Sequence, residues 1–267
     1  MNFPRKPIRA AGLFSAVLFG GAFFAVSAAA PAFAQVTCNG LTVTIEGTAG
    51  DDVIFSPPGP DVIATFAGHD TVVGDGNDTV CLGAGADTFI GGSGAEWVNG
   101  GGGADILRGA AGQDTLNGNA GADTISGGVG ADIINGGGAA DSISGDRGPD
   151  TISGGSQPDT ISGGAGNDVI RGNGAADVID GDGGQDTLYG NAGADRLNGG
   201  AGNDTIYGGT TADNLEGGSG NDTLYGGGGN DTLTDEAGLD DFGGGGAGTA
   251  NRCSVTIETR VNCQILI

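Results

Sequence analysis

Residues 199–234 read GGAGNDTIY, GGTTADNLE, GGSGNDTLY, GGGGNDTLT: four nonapeptides in a row, each with Asp at its sixth position and an aliphatic residue at its eighth. Counting back in nines from Asp204, the acid recurs at Asp195, Asp186, Asp177, Asp168, Asp159, Asp150, Asp141, Asp132, Asp123, Asp114 and Asp105. Glu96 takes the next place, followed by Asp87 and Asp78, while Asp213, Asp222, Asp231 and Asp240 continue the count forward. The eighth position keeps step through Ile206, Leu197, Leu188, Ile179, Ile170 and onward to Phe89 and Val80. A period of nine held for this long identifies a repeat array, in which each unit buries its apolar face only against its neighbours.

Composition agrees with that reading. There are 61 glycines in 267 residues, far above the usual share of about 7%. Collagen is excluded because Gly does not recur every third residue and Pro is scarce. Disorder is disfavoured because the aliphatic residues are placed at fixed intervals.

At the start of the chain, Arg5, Lys6 and Arg9 form a basic head and residues 13–26 an apolar middle, with Ala32-Phe33-Ala34 as a small-x-small exit. This predicts a cleaved export signal over residues 1–34 and a secreted, extracellular protein with no membrane insertion after cleavage. From Gln35 onward, six arginines and no lysine face 33 acids, a net of −27. That balance excludes electrostatic binding to nucleic acid or anionic lipid and implies a demand for cations. Four cysteines in an exported chain predict two disulfides. Of three connectivities, Cys38–Cys81 with Cys253–Cys263 is favoured, because the others would have to span the array.

The motif G-G-x-G-x-D-x-U-x, carried by about twenty copies between residues 47 and 242, resembles the calcium-binding nonapeptide of the hemolysin-type (RTX) repeat family. The resemblance implies an all-β chain forming a right-handed parallel β-roll with two nonapeptides per 18-residue coil. It also implies calcium ions held between successive turns by the sixth-position Asp and by glycine-turn carbonyls. Read residue by residue, positions one to six form a turn in which Gly permits positive φ. Positions seven to nine form a three-residue strand whose eighth side chain points inward. Repeats begin at residue 47 and run to about residue 243, with one residue missing between Asp70 and Asp78. Residues 35–46, with Leu41, Val43 and Ile45 alternating, predict a strand covering the first coil, and residues 244–267 a closing cap.

Stacking places Asp204 between Asp186 and Asp222. Unit charges about 4.8 Å apart repel by about 0.9 kcal/mol even in bulk water. An oxygen-only turn with no His or Cys selects Ca²⁺ over Zn²⁺ or Cu²⁺. The predicted ligands are Asp78, Asp87, Asp105, Asp114, Asp123, Asp132, Asp150, Asp168, Asp186, Asp195, Asp204, Asp222 and Asp231. On one edge the fourth position departs from Gly at Ala139, Gln157, Ala175 and Thr211, which predicts weaker loading at Asp141, Asp159, Asp177 and Asp213. Two aliphatic side chains per coil cannot offset the ordering of 18 Gly-rich residues, so folding and calcium binding are expected to be one event.

Tyr189, Tyr207 and Tyr225 recur every 18 residues and should stack, as should Asn99, Asn117 and Asn135. Such ladders read first as strand stabilisers and second as a carbohydrate or cell-surface contact. The pairs Thr115/Asn117, Thr124/Ser126, Thr151/Ser153 and Thr160/Ser162 suggest an ice-binding face as the alternative, interrupted by Ile133, Val169, Arg171 and Trp97. No catalytic motif occurs and His69 stands alone, so the chain is read as a calcium-binding structural or adhesive protein and not an enzyme.

Overall fold

The computed structural model describes residues 35–235 together with the strands Phe242–Gly244, Arg252–Cys253, Thr259–Val261 and Gln264–Ile265. The predicted signal at residues 1–34 and the predicted Cys253–Cys263 bridge lie outside the described residues. Within them there is no helix, and none therefore long and apolar enough to cross a membrane.

A hairpin opens the fold, β1 (Thr37–Cys38) pairing antiparallel with β2 (Leu41–Thr42). Then come β3 (Ile45–Glu46), β4 (Val53–Phe55), β5 (Val62–Ala64), β6 (Thr71–Val73), β7 (Thr79–Ala84) and β8 (Thr88–Ile90). Odd strands from β3 join one parallel sheet and even strands from β4 the other, and the alternation continues to the end, giving two sheets of 13 strands. Two nonapeptides thus make one coil of a parallel β-solenoid, as expected of a β-roll. The tail strands extend both ladders.

Register follows the repeat. Leu116 lies between Val98 and Ile134, each 18 residues away. The missing residue shows as a step of 17 in both sheets, Ile63 to Val80 and Val72 to Phe89. Absorbing the deletion there keeps every later inward side chain on the core side, since a one-residue slip would invert them all. The eighth-position residues, from Ile63 to Leu233, form a single buried apolar column.

Two expectations are corrected. Many strands are longer than three residues, although others such as Thr160–Ser162 and Val178–Asp180 keep three: in Thr115–Ala120, Asn119 and Ala120 pair with Gly137 and Gly138. Positions one to three therefore belong to the ladder, because identical coils offer each other matching backbone groups along that whole stretch. The first-position Gly then points inward, as the burial of Gly118 beside that of Leu116 indicates. The N-terminal segment is also not a single strand over the first coil. Asn39 and Gly40 both take positive φ, +50° and +76°, making the tight hairpin turn that Asn-Gly favours. Cys38 bonds to Cys81, which points outward between inward Val80 and Leu82. The hairpin is thereby pinned to the outer face of one sheet, where outward-pointing Ala64 is buried. Closing 43 residues in this way restricts the unfolded chain by about 4 kcal/mol.

Candidate metal centre

Each turn folds as it does because three of its glycines meet different constraints. The second position takes a left-handed φ, and where Gly is absent it is filled mainly by residues that tolerate it, Asn119 (+73°), Asn173 (+77°), Asn191 (+72°), Asp146 (+71°) and Asp182 (+65°). At the regular fourth position there is no room for a side chain: a Cβ on Gly112 would stand 1.5 Å from the Gly94 carbonyl oxygen of the coil below. At the first position the missing Cβ leaves room for the carboxylate. The point where a Cβ on Gly118 would sit is 2.2 Å from Asp123 Oδ2 and 2.7 Å from the Gly136 carbonyl oxygen. The same pair of oxygens converges at Gly145 (Asp150 Oδ2 2.4 Å, Gly163 O 2.5 Å) and at Gly199 (Asp204 Oδ2 and Gly217 O, both 2.5 Å).

The carboxylates themselves form two buried columns, one along each edge of the roll. Asp105 N donates to Asp123 Oδ1 (2.8 Å), Asp123 N to Asp141 Oδ1 (2.8 Å), and so on up the edge. The other edge repeats this with Asp114 N to Asp132 Oδ1 (2.8 Å) and Asp132 N to Asp150 Oδ1 (2.7 Å). One oxygen of each carboxylate is thus committed to the amide below. The second oxygen of every sixth-position acid from residue 70 to residue 213 is buried and has no hydrogen-bond partner. An anionic oxygen without a donor, facing a carbonyl that also can only accept, is an arrangement that proteins avoid unless a cation completes it.

Burial raises these carboxyls. Asp150, Asp177, Asp186 and Asp213 are pushed up to about 7, and Asp105, Asp123, Asp132, Asp159 and Asp204 to about 6. Desolvation is the main cause in each, offset by the amide bond to Oδ1 and reinforced in most by neighbouring carboxylates. Glu96 rises to about 8 through burial and the adjacent Asp114.

All thirteen predicted ligands lie in the two columns and are buried. The prediction omitted Asp70 and Glu96, which carry the same unpartnered oxygen and stand at the same place in the count of nine. Asp141, Asp159, Asp177 and Asp213, set aside as weaker, keep the same amide bonds and the same unpartnered oxygens. Their turns differ in backbone: Ala139 and Ala175 are held at φ +99° and +77°. At the fourth departure, the Thr211 hydroxyl donates to the Gly193 carbonyl. His69 Nδ1 pairs with the backbone of Ala86 and joins no cluster.

Among the described residues no three acidic, His or Cys side chains converge on one point. A cation here would draw on the columns two carboxylates at a time and take its remaining ligands from backbone carbonyls. That all-oxygen, partly neutral set is suited to calcium and poor for transition metals. The residues present fit the ion.

The family model for the RTX calcium-binding nonapeptide repeat matches in overlapping windows over residues 46–81, 58–89, 90–125, 117–152, 153–188, 181–215, 189–224, 207–242 and 216–249. Among curated proteins none matches the chain. With stacked carboxylate turns running along both edges and the repeat matched from residue 46 to residue 249, the chain belongs to the RTX calcium-binding nonapeptide repeat family.

Proposed function

We propose that the protein is an exported, extracellular β-roll that folds as its turns take up calcium and then serves a structural or adhesive role without catalysing a reaction. The calcium half of this reading is carried by the buried, donorless second oxygen of one carboxylate after another, most of them from Glu96 to Asp213 converging with a glycine carbonyl. Asp78, Asp87, Asp105, Asp114, Asp123, Asp132, Asp150, Asp168, Asp186, Asp195, Asp204, Asp222 and Asp231, with Asp70 and Glu96, would hold the ions. When bound, calcium supplies positive charge that screens each column against itself. Export rests on the basic-apolar-small pattern of residues 1–34, and the absence of catalytic chemistry on every turn carboxylate having a lattice position. Far-UV circular dichroism of the mature chain, titrated with calcium after exhaustive chelation, tests the reading. The β signal should grow with calcium and collapse with EGTA; an unchanged β spectrum in EGTA would refute it.

A second reading, an ice-binding face, draws on one arrangement. Thr124, Ser142 and Thr160 stack in one row and Ser126, Ser144 and Ser162 in the next, all on the same sheet. Trp97, Ile133, Val169 and Arg171 interrupt rows of the opposite sheet. The patch spans only two coil steps, about 10 Å, and Asp146 and Asp182 engage its serine hydroxyls. Thermal hysteresis of the calcium-loaded protein decides it. A carbohydrate platform fits less well. Tyr189, Tyr207 and Tyr225 stack on one another at 5.0 and 4.9 Å, and Arg171 covers Tyr189. Ring faces that a sugar would need are spent on the ladder.

A further inference from the structure

The two carboxylate columns do not begin as they continue. Asp52 and Asp61 are their first members, and each has protein donors on the oxygen that is bare higher up. Asp52 Oδ2 accepts from the Thr48 amide (2.6 Å) and the Thr48 hydroxyl (3.0 Å). Asp61 Oδ2 accepts from the Ser56 hydroxyl (3.2 Å), and its Oδ1 from the Thr44 hydroxyl (3.3 Å). The unpartnered oxygens start only at Asp70.

The inward first position differs as well. It is Gly in every repeat from residue 91 to residue 226, which leaves space for a carboxylate oxygen. In the first coils Gly remains in that slot at Gly47 and Gly74, but Ser56, Thr65 and Leu82 fill the other three, and Thr65 and Leu82 are fully buried. The Thr65 hydroxyl donates to the Leu82 carbonyl, the same first-position carbonyl that faces an acid oxygen in regular turns. Leu82 joins Ile63, Val72, Val80 and Phe89 in the core, so the third coil buries one more apolar side chain than a regular coil. Cys38–Cys81 then ties the hairpin to the third coil.

We propose that β3 to β8, residues 45–90, locked by the Cys38–Cys81 bridge, hold their fold without calcium and act as the seed on which the calcium-dependent coils stack. The inference rests on the calcium-coupled folding proposed above and adds a place and a direction to it. In a stacked array the first coil bears the full ordering cost with no neighbour, while each later coil adds to a finished edge. A seed whose first two carboxylates, Asp52 and Asp61, are satisfied by protein donors, and whose inner slots at Ser56, Thr65 and Leu82 are filled by side chains, lightens that first step. It leaves only the bare oxygens of Asp70, Asp78 and Asp87 within it for the metal.

Hydrogen exchange of the full, oxidised mature chain in excess EGTA, read peptide by peptide, tests the proposal. Residues 37–90 should exchange at least about tenfold more slowly than residues 97–234, and calcium should then protect both. Equally fast exchange throughout would overturn the seed while leaving calcium-driven folding intact. Equally slow exchange throughout in EGTA would overturn calcium-driven folding itself. The double substitution Thr65→Gly/Leu82→Gly restores the regular first position and should keep the calcium-loaded β spectrum while losing protection of residues 37–90 in EGTA. Retained protection in that variant would overturn the assignment of the seed to these two side chains.

Discussion

Gly130 and Gly102 belong to neighbouring coils of the same array and carry opposite requirements. A Cβ on Gly130 would stand 1.4 Å from the Gly112 carbonyl oxygen, at φ +152°, whereas one on Gly102 meets nothing within 4 Å. Gly130→Ala should therefore destabilise the calcium-loaded protein by about 3 kcal/mol, and Gly102→Ala should stay within about 0.5 kcal/mol, in urea unfolding at saturating calcium. The carboxylates permit a subtler test. Asp168 Oδ1 accepts from Asp150 N at 2.7 Å. Its Oδ2 lies 2.6 Å from the Cβ point of Gly163, with the Gly181 carbonyl oxygen 2.9 Å from the same point. Asn at this position keeps the acceptor and places a donor where two acceptors now oppose each other. Asp168→Asn should thus bind fewer calcium ions by calorimetry yet raise the melting temperature of whatever structure persists in EGTA. A variant that lost both would show that the carboxylate has a role other than ion binding.

At the scale of the turn and the strand, the two edges are chemically alike and conformationally unlike. Ala139 and Ala175 occupy a left-handed region that penalises a Cβ. Ala139→Gly and Ala175→Gly should each raise the stability of the calcium-loaded roll by about 1 kcal/mol, read from the urea midpoint. No gain would mean that the edge has relaxed around the methyl groups. The period of nine made the inward column, the two sheets and the carboxylate edges legible, because each is a direct consequence of residue type at a fixed interval. Less legible were features in which a local rule overrides the period. The Asn39-Gly40 turn is short and precedes the array, and the alternation of Leu41, Val43 and Ile45 beside it has the pattern of one continuous strand. The extension of strands through positions one to three depends on pairing between coils, which glycine composition conceals. Leu82 and Thr65 stand in a first-position slot read only as turn, and their inward direction emerges only once the strand is known to continue through it.

For the molecule as a whole, the dominant fact is an excess of acid, 33 Asp and Glu against nine Lys and Arg in the full sequence, with much of it buried in two columns. The same burial that calls for calcium makes protons its competitor. Asp150, Asp177, Asp186 and Asp213 hold their protons up to about pH 7 in the folded, calcium-free state, against an ordinary value of 3.8. Between those two values the folded chain binds more protons than the unfolded one, so stability falls as pH rises. The contribution is complete below the ordinary carboxylate value and is lost as pH climbs through about 6 for Asp105, Asp123, Asp132, Asp159 and Asp204, and about 7 for the other four. Calcium requires the opposite protonation state, so its affinity should decline as pH drops below about 7. In EGTA, acidification from about pH 8 to about pH 5 should therefore raise the β signal in far-UV circular dichroism. At fixed subsaturating calcium the same change should release the ion, as a calcium-selective electrode would register. A β signal in EGTA indifferent to pH over that range would mean that the carboxylates of the calcium-free chain remain in water, and that the columns assemble only around the metal.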